Sequence, residues 1–359
     1  MKDKRKNAIE NIVKSSSSPW MDGSGSLADV VVSSRVRLAR NLRDIPFPHL
    51  LEDRSAKEVL DRVSGTVESV NKKGTWGELT TIDLSQVSAL DRQVLVEKHL
   101  MSPQHAEAGP GKGLATREDE RVSVMVNEED HLRIQCLFSG LELDEAWITA
   151  SGTDDLLDEG LDFAYDDTVG FLTACPTNAG TGLRASVMVH LPALAIGDEV
   201  SRVLAAVNKL GLVIRGLYGE GSEGKGNVFQ ISNQITLGQT EKEIIENLSL
   251  VAKQVVAEEK RFRENLLKAR KSQIEDRIFR AWGILSNARS MSSTEAVRLW
   301  SDVRLGVELG MMPSIDVRGI NEILVLSQPC FVQRTVGKEL APEERDIKRA
   351  ELIRSHLRG

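Results

Sequence analysis

The fold follows from the stretch Asp29-Val-Val-Val-Ser-Ser-Arg-Val-Arg37, whose pattern is that of a β-strand. Successive side chains of a strand point to opposite faces of its sheet, so Arg35 and Arg37 share one face. A second stretch, residues 183–190, alternates in the same way, with apolar side chains at its odd-numbered positions. Alternation of this kind is typical of antiparallel strands that have one face on the core and one face in solvent.

Around these two strands the chain divides into a mixed part and a helical part. Further strand patterns cover 79–84, 121–127, 131–138, 213–218 and 227–237, and helical patterns cover 56–70 and 91–100. Thr240 with Glu243 forms a capping box, and helical patterns continue from there to the end of the chain. We therefore predict an α+β fold, an antiparallel sheet flanked by helices, followed by an all-helical C-terminal domain. The predicted divisions are a short helix and flexible Ser/Gly segment at 1–28, a catalytic domain at 29–255 and a helical domain at 256–359.

Composition excludes several classes of protein. The 359 residues carry 46 Lys and Arg against 53 Asp and Glu, a net charge of −7, which argues against a general nucleic-acid binder. Cys136, Cys175 and Cys330 lie too far apart for a CxxC metal or redox motif or for a disulfide framework. The charged N-terminus resembles no signal peptide, and no apolar stretch is long enough to cross a membrane. We expect a cytoplasmic protein with no membrane or nucleic-acid partner.

The glycine-rich stretch Gly219-Glu-Gly-Ser-Glu-Gly224 matches the GxGxxG pattern of nucleotide-binding loops, and with Lys225 it matches most of a P-loop. Residue 226 is Gly, however, where a P-loop needs Ser or Thr, and the next residues form a strand pattern instead of a helix. The stretch is better interpreted as a mobile hairpin tip that carries acidic side chains.

Five arginines occur on strand patterns, namely Arg35, Arg37, Arg133, Arg184 and Arg215. Guanidinium groups form bidentate hydrogen bonds with phosphate oxygens, so five of them on one sheet face could hold a triphosphate without a P-loop. The alternative, which the pattern alone favours, is that they are solvated arginines on an exposed sheet face.

Acidic residues and one thiol complete the candidate chemistry. The turn Asn127-Glu-Glu-Asp130 lies next to Arg133, and paired carboxylates can orient a cationic nucleophile and accept its proton. They could equally be ordinary turn residues. Cys175 lies between a strand and a polar turn, where a thiol can be reactive or simply half-buried and inert.

Four blocks of sequence, taken in order, resemble the phosphagen (guanidino) kinases. They are Ser33-Ser-Arg-Val-Arg37, Asn127-Glu-Glu-Asp-His-Leu-Arg133, Cys175-Pro-Thr-Asn-Ala-Gly-Thr-Gly-Leu-Arg184 and Arg215-Gly-Leu-Tyr-Gly-Glu220. The region before the first block is short, and Arg345-Asp-Ile-Lys-Arg-Ala350 is similar to a phosphoarginine-binding RDxxRA motif. Both features point to the bacterial protein-arginine kinase branch of the family.

The resemblance implies a role for specific residues. It implies that Glu129, Glu220 and Cys175 act in catalysis and that ATP is bound with Mg²⁺, which is held mainly through the phosphates without a protein metal site. The implied nucleotide-binding residues are Ser33, Ser34, Arg35, Val36, Arg37, His99, Arg133, Arg184, Ala185, Ser186, Val187, Met188, Arg215, Gly216, Leu217, Tyr218, Gly219 and Glu220. The implied phosphoarginine-binding residues are Arg345, Asp346, Ile347, Lys348, Arg349 and Ala350.

The last helix has its own pattern. Ile347, Ala350, Ile353 and Leu357 are spaced to form an inward stripe, with Arg345 and Arg349 four residues apart on another face. Such a pair could grip a phosphate between its two guanidinium groups. Without the resemblance, a solvated charged helix is the more ordinary interpretation.

The function implied is transfer of the ATP γ-phosphoryl group to arginine side chains of proteins, in stress response and protein quality control. Two alternatives remain: a kinase of free arginine or another small guanidino metabolite, and a non-catalytic phosphoarginine-binding adaptor. Implied partners are protein substrates with exposed arginine, a zinc-finger activator protein, a Clp-type unfoldase or protease, and a second copy of the chain in a homodimer.

Overall fold

A single antiparallel sheet forms the centre of the computed structural model, which describes residues 9–74, 76–107, 109–216 and 224–358. The strand order in this eight-stranded sheet is β2-β3-β4-β5-β1-β8-β10-β9. The strands are β1 (Val31–Arg40), β2 (Leu79–Asp83), β3 (Gly113–Arg117), β4 (Val122–Val126), β5 (Leu132–Ser139), β8 (Leu183–His190), β9 (Leu212–Gly216) and β10 (Val228–Asn233), while β6 (Tyr165–Asp166) and β7 (Gly170–Phe171) pair separately. The two stretches that predicted the fold, β1 and β8, are therefore neighbours in the middle of the sheet.

One face of the sheet is covered by helices. Even-numbered residues of β1, such as Val36 and Leu38, and odd-numbered residues of β8, such as Ala185 and Val187, are fully buried in the main core. Helices α2 (Asp53–Lys73), α4 (Leu143–Asp158) and the first half of α7 (Glu241–Asn287) pack against this face. The predicted α+β arrangement is confirmed, and Arg35, Arg37, Arg184 and Ser186 of the same two strands are left on the opposite face.

The C-terminal region is helical, as predicted. Besides α7 it contains α8 (Ser293–Glu308), α9 (Val317–Leu326), α10 (Pro329–Val336) and α11 (Pro342–His356). Shorter helices in the mixed part are α3 (Ala89–Glu97), α5 (Pro192–Ile196) and α6 (Val200–Lys209). The Thr240–Glu243 capping box begins α7, which continues past residue 255 and departs from helical geometry at Arg270, where φ is −143°. The predicted domain division therefore lies inside a continuous helix.

The N-terminal segment contains the predicted short helix, but its Ser/Gly part differs from the prediction. Residues 9–14 form helix α1, and Trp20 and Met21 are buried in a second core that also contains residues of α3, α7 and α8. Ser18 donates a hydrogen bond to Glu120 (2.8 Å), and a Cβ at Gly25 would lie 2.0 Å from the Ser139 carbonyl oxygen. The prediction of a flexible Ser/Gly segment is wrong, because small and hydroxylated residues are used here for close packing.

The second core joins the two ends of the chain. It contains Val13 of α1, Leu95 of α3 and Trp300 of α8, so the helical region packs against both the N-terminal segment and one end of the sheet. No helix formed by the described residues is both long and apolar enough to cross a bilayer.

Candidate active site

All five strand arginines lie on the face of the sheet that the core helices leave free. Directly paired residues of an antiparallel sheet point to the same side. Arg37 pairs with Arg184 on β8 and with Gln135 on β5, which places Arg133, two residues from Gln135, on the same face. Arg215 joins them through the pairs Met188–Gln230 and Gln230–Arg215. The sequence pattern alone favoured a solvated face, whereas the sheet register brings the arginines together.

Arg35 and Arg37 lie close enough together for their positive charges to repel each other. Arg35 donates to Ser186 (3.3 Å) and to Gln230 (2.8 Å), both of which are uncharged. Burial, with a smaller contribution from the charge of Arg133, lowers the Arg35 pKa to about 10. For Arg37, burial and then the charge of Arg35 lower the pKa, and its buried Nε has no hydrogen-bond partner among the described residues. A bound anion would satisfy this donor and relieve the repulsion.

Arg133 and Arg184 are aimed by neighbouring side chains. Arg133 donates to Glu128 (2.8 Å) and to Glu129 (3.0 Å). Arg184 donates through Nε to Asn178 (3.0 Å) and through Nη2 to the Thr177 hydroxyl (3.1 Å). These contacts fix the direction of each guanidinium group before any ligand binds.

A cleft of about 220 Å³ opens over these residues, and we call it the arginine cleft. It is lined by Arg37, Leu38, Ala39, Glu129, Arg133, Cys175, Thr177, Asn178, Gly182 and Arg184. The structure therefore brings two of the three predicted catalytic residues, Glu129 and Cys175, together with three of the five arginines. The Cys175 Sγ lies 3.0 Å from the Thr177 hydroxyl. Glu220 lies outside the described residues.

The acidic turn that carries Glu129 is built from the residues around it. Asn127 adopts a left-handed conformation (φ 58°) and donates to the Ala56 and Gly111 carbonyls, both at 2.8 Å. Asp130 accepts from the Asn41 side chain (2.6 Å) and from the Ala174 backbone N–H (2.7 Å). Asp130 thus ties the turn to the segment that carries Cys175, while Glu129 keeps 44% of its side chain exposed.

A smaller recess lies on the same face, toward the other end of β1. This His99 recess of about 20 Å³ is lined by Trp20, Ser33, Arg35, His99, Leu137, Ser186, Met188 and Gln230. The predicted helix over 91–100 ends at Glu97, and His99 follows with φ 62°. Burial, then the charge of Arg35, lowers the His99 pKa to about 4, so its imidazole is neutral at pH 7.

Several predicted nucleotide-binding residues do not face the site. The side chains of Val36, Ala185 and Val187 lie in the core on the opposite side of the sheet. Ser34 is also buried there and donates to the Gly140 carbonyl (2.7 Å). Since successive strand residues alternate, a continuous run of motif residues cannot all reach one ligand through their side chains. Gly216 ends β9, and Leu217, Tyr218, Gly219 and Glu220 lie outside the described residues.

The RDxxRA motif is oriented differently from its prediction. Ile347 is 51% exposed, whereas Arg349 is buried beside Ala350 and Ile353. Arg349 donates to the Ser327 carbonyl (2.6 Å) and the Met291 carbonyl (2.8 Å), and it also contacts Asp346. The prediction that Ile347 belongs to the inward stripe and that Arg349 lies on a different face is wrong, because Arg349 is buried and satisfies backbone carbonyls at the junction of α8, α9 and α11. Arg345, Asp346 and Lys348 are half-buried.

Some functional residues were missed from the sequence. Thr177 and Asn178 lie inside a quoted block, and the structure shows that they aim Arg184. Glu128 was predicted only as one of the paired carboxylates, whereas the structure shows that it contacts Arg133. Trp20 lines the His99 recess and lies in no block, so no local signal could have identified it.

Comparison with known proteins identifies the two regions separately. A family model described as ATP:guanido phosphotransferase, C-terminal catalytic domain, matches residues 58–262. A model described as Protein-arginine kinase McsB C-terminal domain matches residues 271–359.

Whole-chain relatives agree with both matches. A protein-arginine kinase of Symbiobacterium thermophilum is 52% identical over 346 residues, covering 96% of this chain and 98% of its own length. One from Pelotomaculum thermopropionicum is 51% identical over 346 residues, covering 96% and 97%.

Solved structures share the fold. A lombricine kinase aligns with a TM-score of 0.58 at 24% identity and covers 69% of both chains. The duplicated taurocyamine kinase from Schistosoma mansoni with bound transition state analog components aligns with a TM-score of 0.58 at 27% identity, over 68% of this chain and 34% of that one. The resemblance drawn from the sequence is confirmed: the chain belongs to the guanidino kinase family, the ATP:guanido phosphotransferases, and within it to the protein-arginine kinases.

Proposed function

We propose that this chain transfers the γ-phosphoryl group of ATP to a guanidinium nitrogen of arginine side chains in proteins. The observation that carries the proposal is the arginine cleft, where the carboxylate Glu129 lies beside Arg37, Arg133 and Arg184. The cations would hold the phosphates, and the carboxylate is placed to receive a cationic acceptor. The names of the full-length relatives support a protein as the acceptor.

Phosphoryl transfer depends mainly on positioning and on neutralisation of charge. In the proposed step, an N–P bond forms between the acceptor nitrogen and the γ-phosphorus, and the bond from that phosphorus to the bridging oxygen of ADP breaks. The proton lost from the acceptor nitrogen passes to the Glu129 carboxylate. If Glu129 turns to the acceptor, Arg133 stays paired with Glu128. That pairing would keep the Arg133 guanidinium group aimed at the phosphates.

Mg²⁺ belongs to this proposal as an ion held mainly by the nucleotide. The described residues contain no group of three His, Cys, Asp or Glu side chains placed to hold a metal. When bound, Mg²⁺ would supply charge neutralisation between phosphate oxygens. Cys175 as a thiolate would add electrostatic stabilisation of the cationic acceptor, without a covalent intermediate.

The remaining expectations extend the proposal. Half-buried Arg345 and Asp346 would bind phosphoarginine, while buried Arg349 positions the helix that carries them. The three cysteines are free thiols, which supports action in the reducing cytoplasm. The partners of the chain would be a second copy in a homodimer, a zinc-finger activator protein and a Clp-type unfoldase or protease.

The test is incubation of the chain with Mg-ATP and either a denatured protein or free L-arginine, with non-acidic handling because P–N bonds are acid-labile. Mass spectrometry should find phosphate on protein arginines and little product from free arginine. Rapid phosphorylation of free arginine alone would favour the small-metabolite kinase. Binding of phosphoarginine without ATP consumption would favour the adaptor.

A further inference from the structure

The N-terminal segment forms part of the wall of the His99 recess. Trp20 is buried, and its ring meets that of His99 edge to face, with centroids 5.2 Å apart and planes at 78°. Its indole Nε1 donates to the Lys98 carbonyl (3.3 Å), in the peptide that leads into His99. One tryptophan thus contacts both the ring and the backbone of this turn.

Lys98 ties the same turn to the N-terminal segment from the other side. Its side chain is fully buried, and Nζ donates to the Ile12 carbonyl (2.8 Å), the Ser17 carbonyl (3.0 Å) and Glu120 (2.9 Å). An ammonium group has three donors, so all of them are used. A buried charge is costly unless it is fully partnered, and a fully partnered one specifies a single arrangement of the groups around it.

The contacts of Trp20 and Lys98 explain how His99 keeps an unfavourable backbone conformation. A non-glycine residue at φ 62° is strained and persists only where its surroundings hold it. Trp20 and Lys98 hold the turn from the N-terminal side, and Gln135 holds it from the sheet by donating to the His99 carbonyl (2.8 Å).

We propose that Trp20 and Lys98 are positioning residues of the nucleotide site, which fix the His99 ring as a wall for the base of a purine nucleotide. The proposal rests on the proposed function. Along β1, Ser33 lies at the His99 recess, Arg35 follows, and Arg37 lies in the arginine cleft. Four residues of strand span about 13 Å, so one extended nucleotide can have its base at Ser33 and its phosphates at Arg37.

The recess of about 20 Å³ cannot enclose a base, so the base would lie across its mouth, where the lining suits a flat, apolar ring with polar edges. Its lining includes the aromatic rings of Trp20 and His99, the thioether of Met188, and the hydrogen-bonding groups of Ser33 and Gln230. The N-terminal segment, which lies outside the matched catalytic-domain model, would thereby contribute to nucleotide affinity.

The experiment compares Trp20→Leu with Trp147→Leu, a control on α4 that is partly buried against the main core. We expect Trp20→Leu to raise the KM for ATP about tenfold or more, with kcat and the KM for protein acceptor within twofold of wild type. The fluorescence change on adding Mg-ADP should be lost in Trp20→Leu and retained in Trp147→Leu. If Trp20→Leu does not fold, Trp20→Phe is titrated with Mg-ADP by calorimetry, where a fall in affinity of threefold or more is expected.

The inference would be overturned if Trp20→Leu had the same KM for ATP as the control variant. Unchanged Mg-ADP affinity in Trp20→Phe would also overturn it. In either case Trp20 would serve core packing only. A wild-type chain that binds Mg-ADP but phosphorylates no arginine would instead overturn the proposed function, so the two failures are distinguishable.

Discussion

Glu128 and Glu129 are adjacent acids with different tasks. Both contact Arg133, but Glu129 is the one that lines the arginine cleft. Glu128 is more enclosed and also accepts a hydrogen bond from Ser102. We conclude that Glu128 aims the guanidinium group, whereas Glu129 is available to an acceptor.

The first prediction separates these tasks by substitution. Glu129→Gln keeps the shape of the side chain and removes its ability to accept a proton, so kcat should fall by about 10²–10⁴. The affinity for ATP should stay within about twofold. Glu128→Gln should instead raise the KM for ATP, because Arg133 loses its enclosed partner. Steady-state kinetics with a protein acceptor measures both, and a Glu129→Gln enzyme with wild-type turnover would remove Glu129 from the mechanism.

At the scale of elements, α3 and α10 meet through one carboxylate. Glu97, the last residue of α3, accepts from the backbone N–H groups of Cys330 (2.9 Å) and Phe331 (2.7 Å) at the start of α10. Burial raises the pKa of Glu97 to about 7, against the opposing effect of those hydrogen bonds. This contact joins the helix that precedes His99 to the C-terminal helices.

The stability of the fold should depend on pH through Glu97. The folded-state pKa of Glu97 is raised, so the folded protein holds this proton more tightly than the unfolded chain does. Its contribution to stability is complete below the ordinary value of 4.5 and is lost as the pH rises through about 7. We expect the unfolding temperature of the wild-type protein to fall between pH 5 and pH 8. The fall should be smaller in Glu97→Gln, which has no proton to lose at this position. Thermal unfolding at several pH values measures it, with exposed Glu107→Gln as control, and identical pH profiles for wild type and Glu97→Gln would contradict it.

At the scale of the whole molecule, α8 contacts Gly226 and Asn227, the two residues that precede β10 in the chain. Asn227 donates to Ser301 of α8 (2.8 Å), which is also hydrogen-bonded to buried His190 of β8 (2.8 Å). A Cβ at Gly226 would lie 2.6 Å from Val297 Cγ1. The start of α8 is in turn bound to the RDxxRA motif, because the Met291 N–H donates to the Asp346 carbonyl (3.1 Å).

The third prediction uses two glycines with similar backbones. Gly226 and Gly238 both have positive φ, at 63° and 80°, but a Cβ at Gly238 would meet no atom within 4 Å. Alanine strains the backbone at both positions, and only Gly226→Ala also pushes β10 away from α8. We expect Gly226→Ala to lower the unfolding temperature further than Gly238→Ala and to reduce turnover on protein acceptors at least fivefold more. Equal stability and turnover in the two variants would show that contact with α8 is unimportant.

The local sequence pattern was sufficient to predict the structure wherever a residue's environment follows from its neighbours in the chain. The alternation in β1 and β8, the 122–126 and 132–139 hairpin and the Thr240 capping box all appear where predicted. These features depend on backbone periodicity and short-range hydrogen bonds, which the sequence encodes directly. The Glu129 turn and the Cys175 segment were identifiable because each lies in a continuous block.

Tertiary structure determined the positions of those side chains whose surroundings come from distant parts of the chain. Sheet register brought five arginines from four different strands onto one face. Packing at the α8–α11 junction, rather than helical periodicity, buried Arg349 and exposed Ile347, because carbonyls at Met291 and Ser327 needed a donor. Trp20 reached the His99 recess by packing against His99, some eighty residues away in sequence, and no local pattern encodes such a contact.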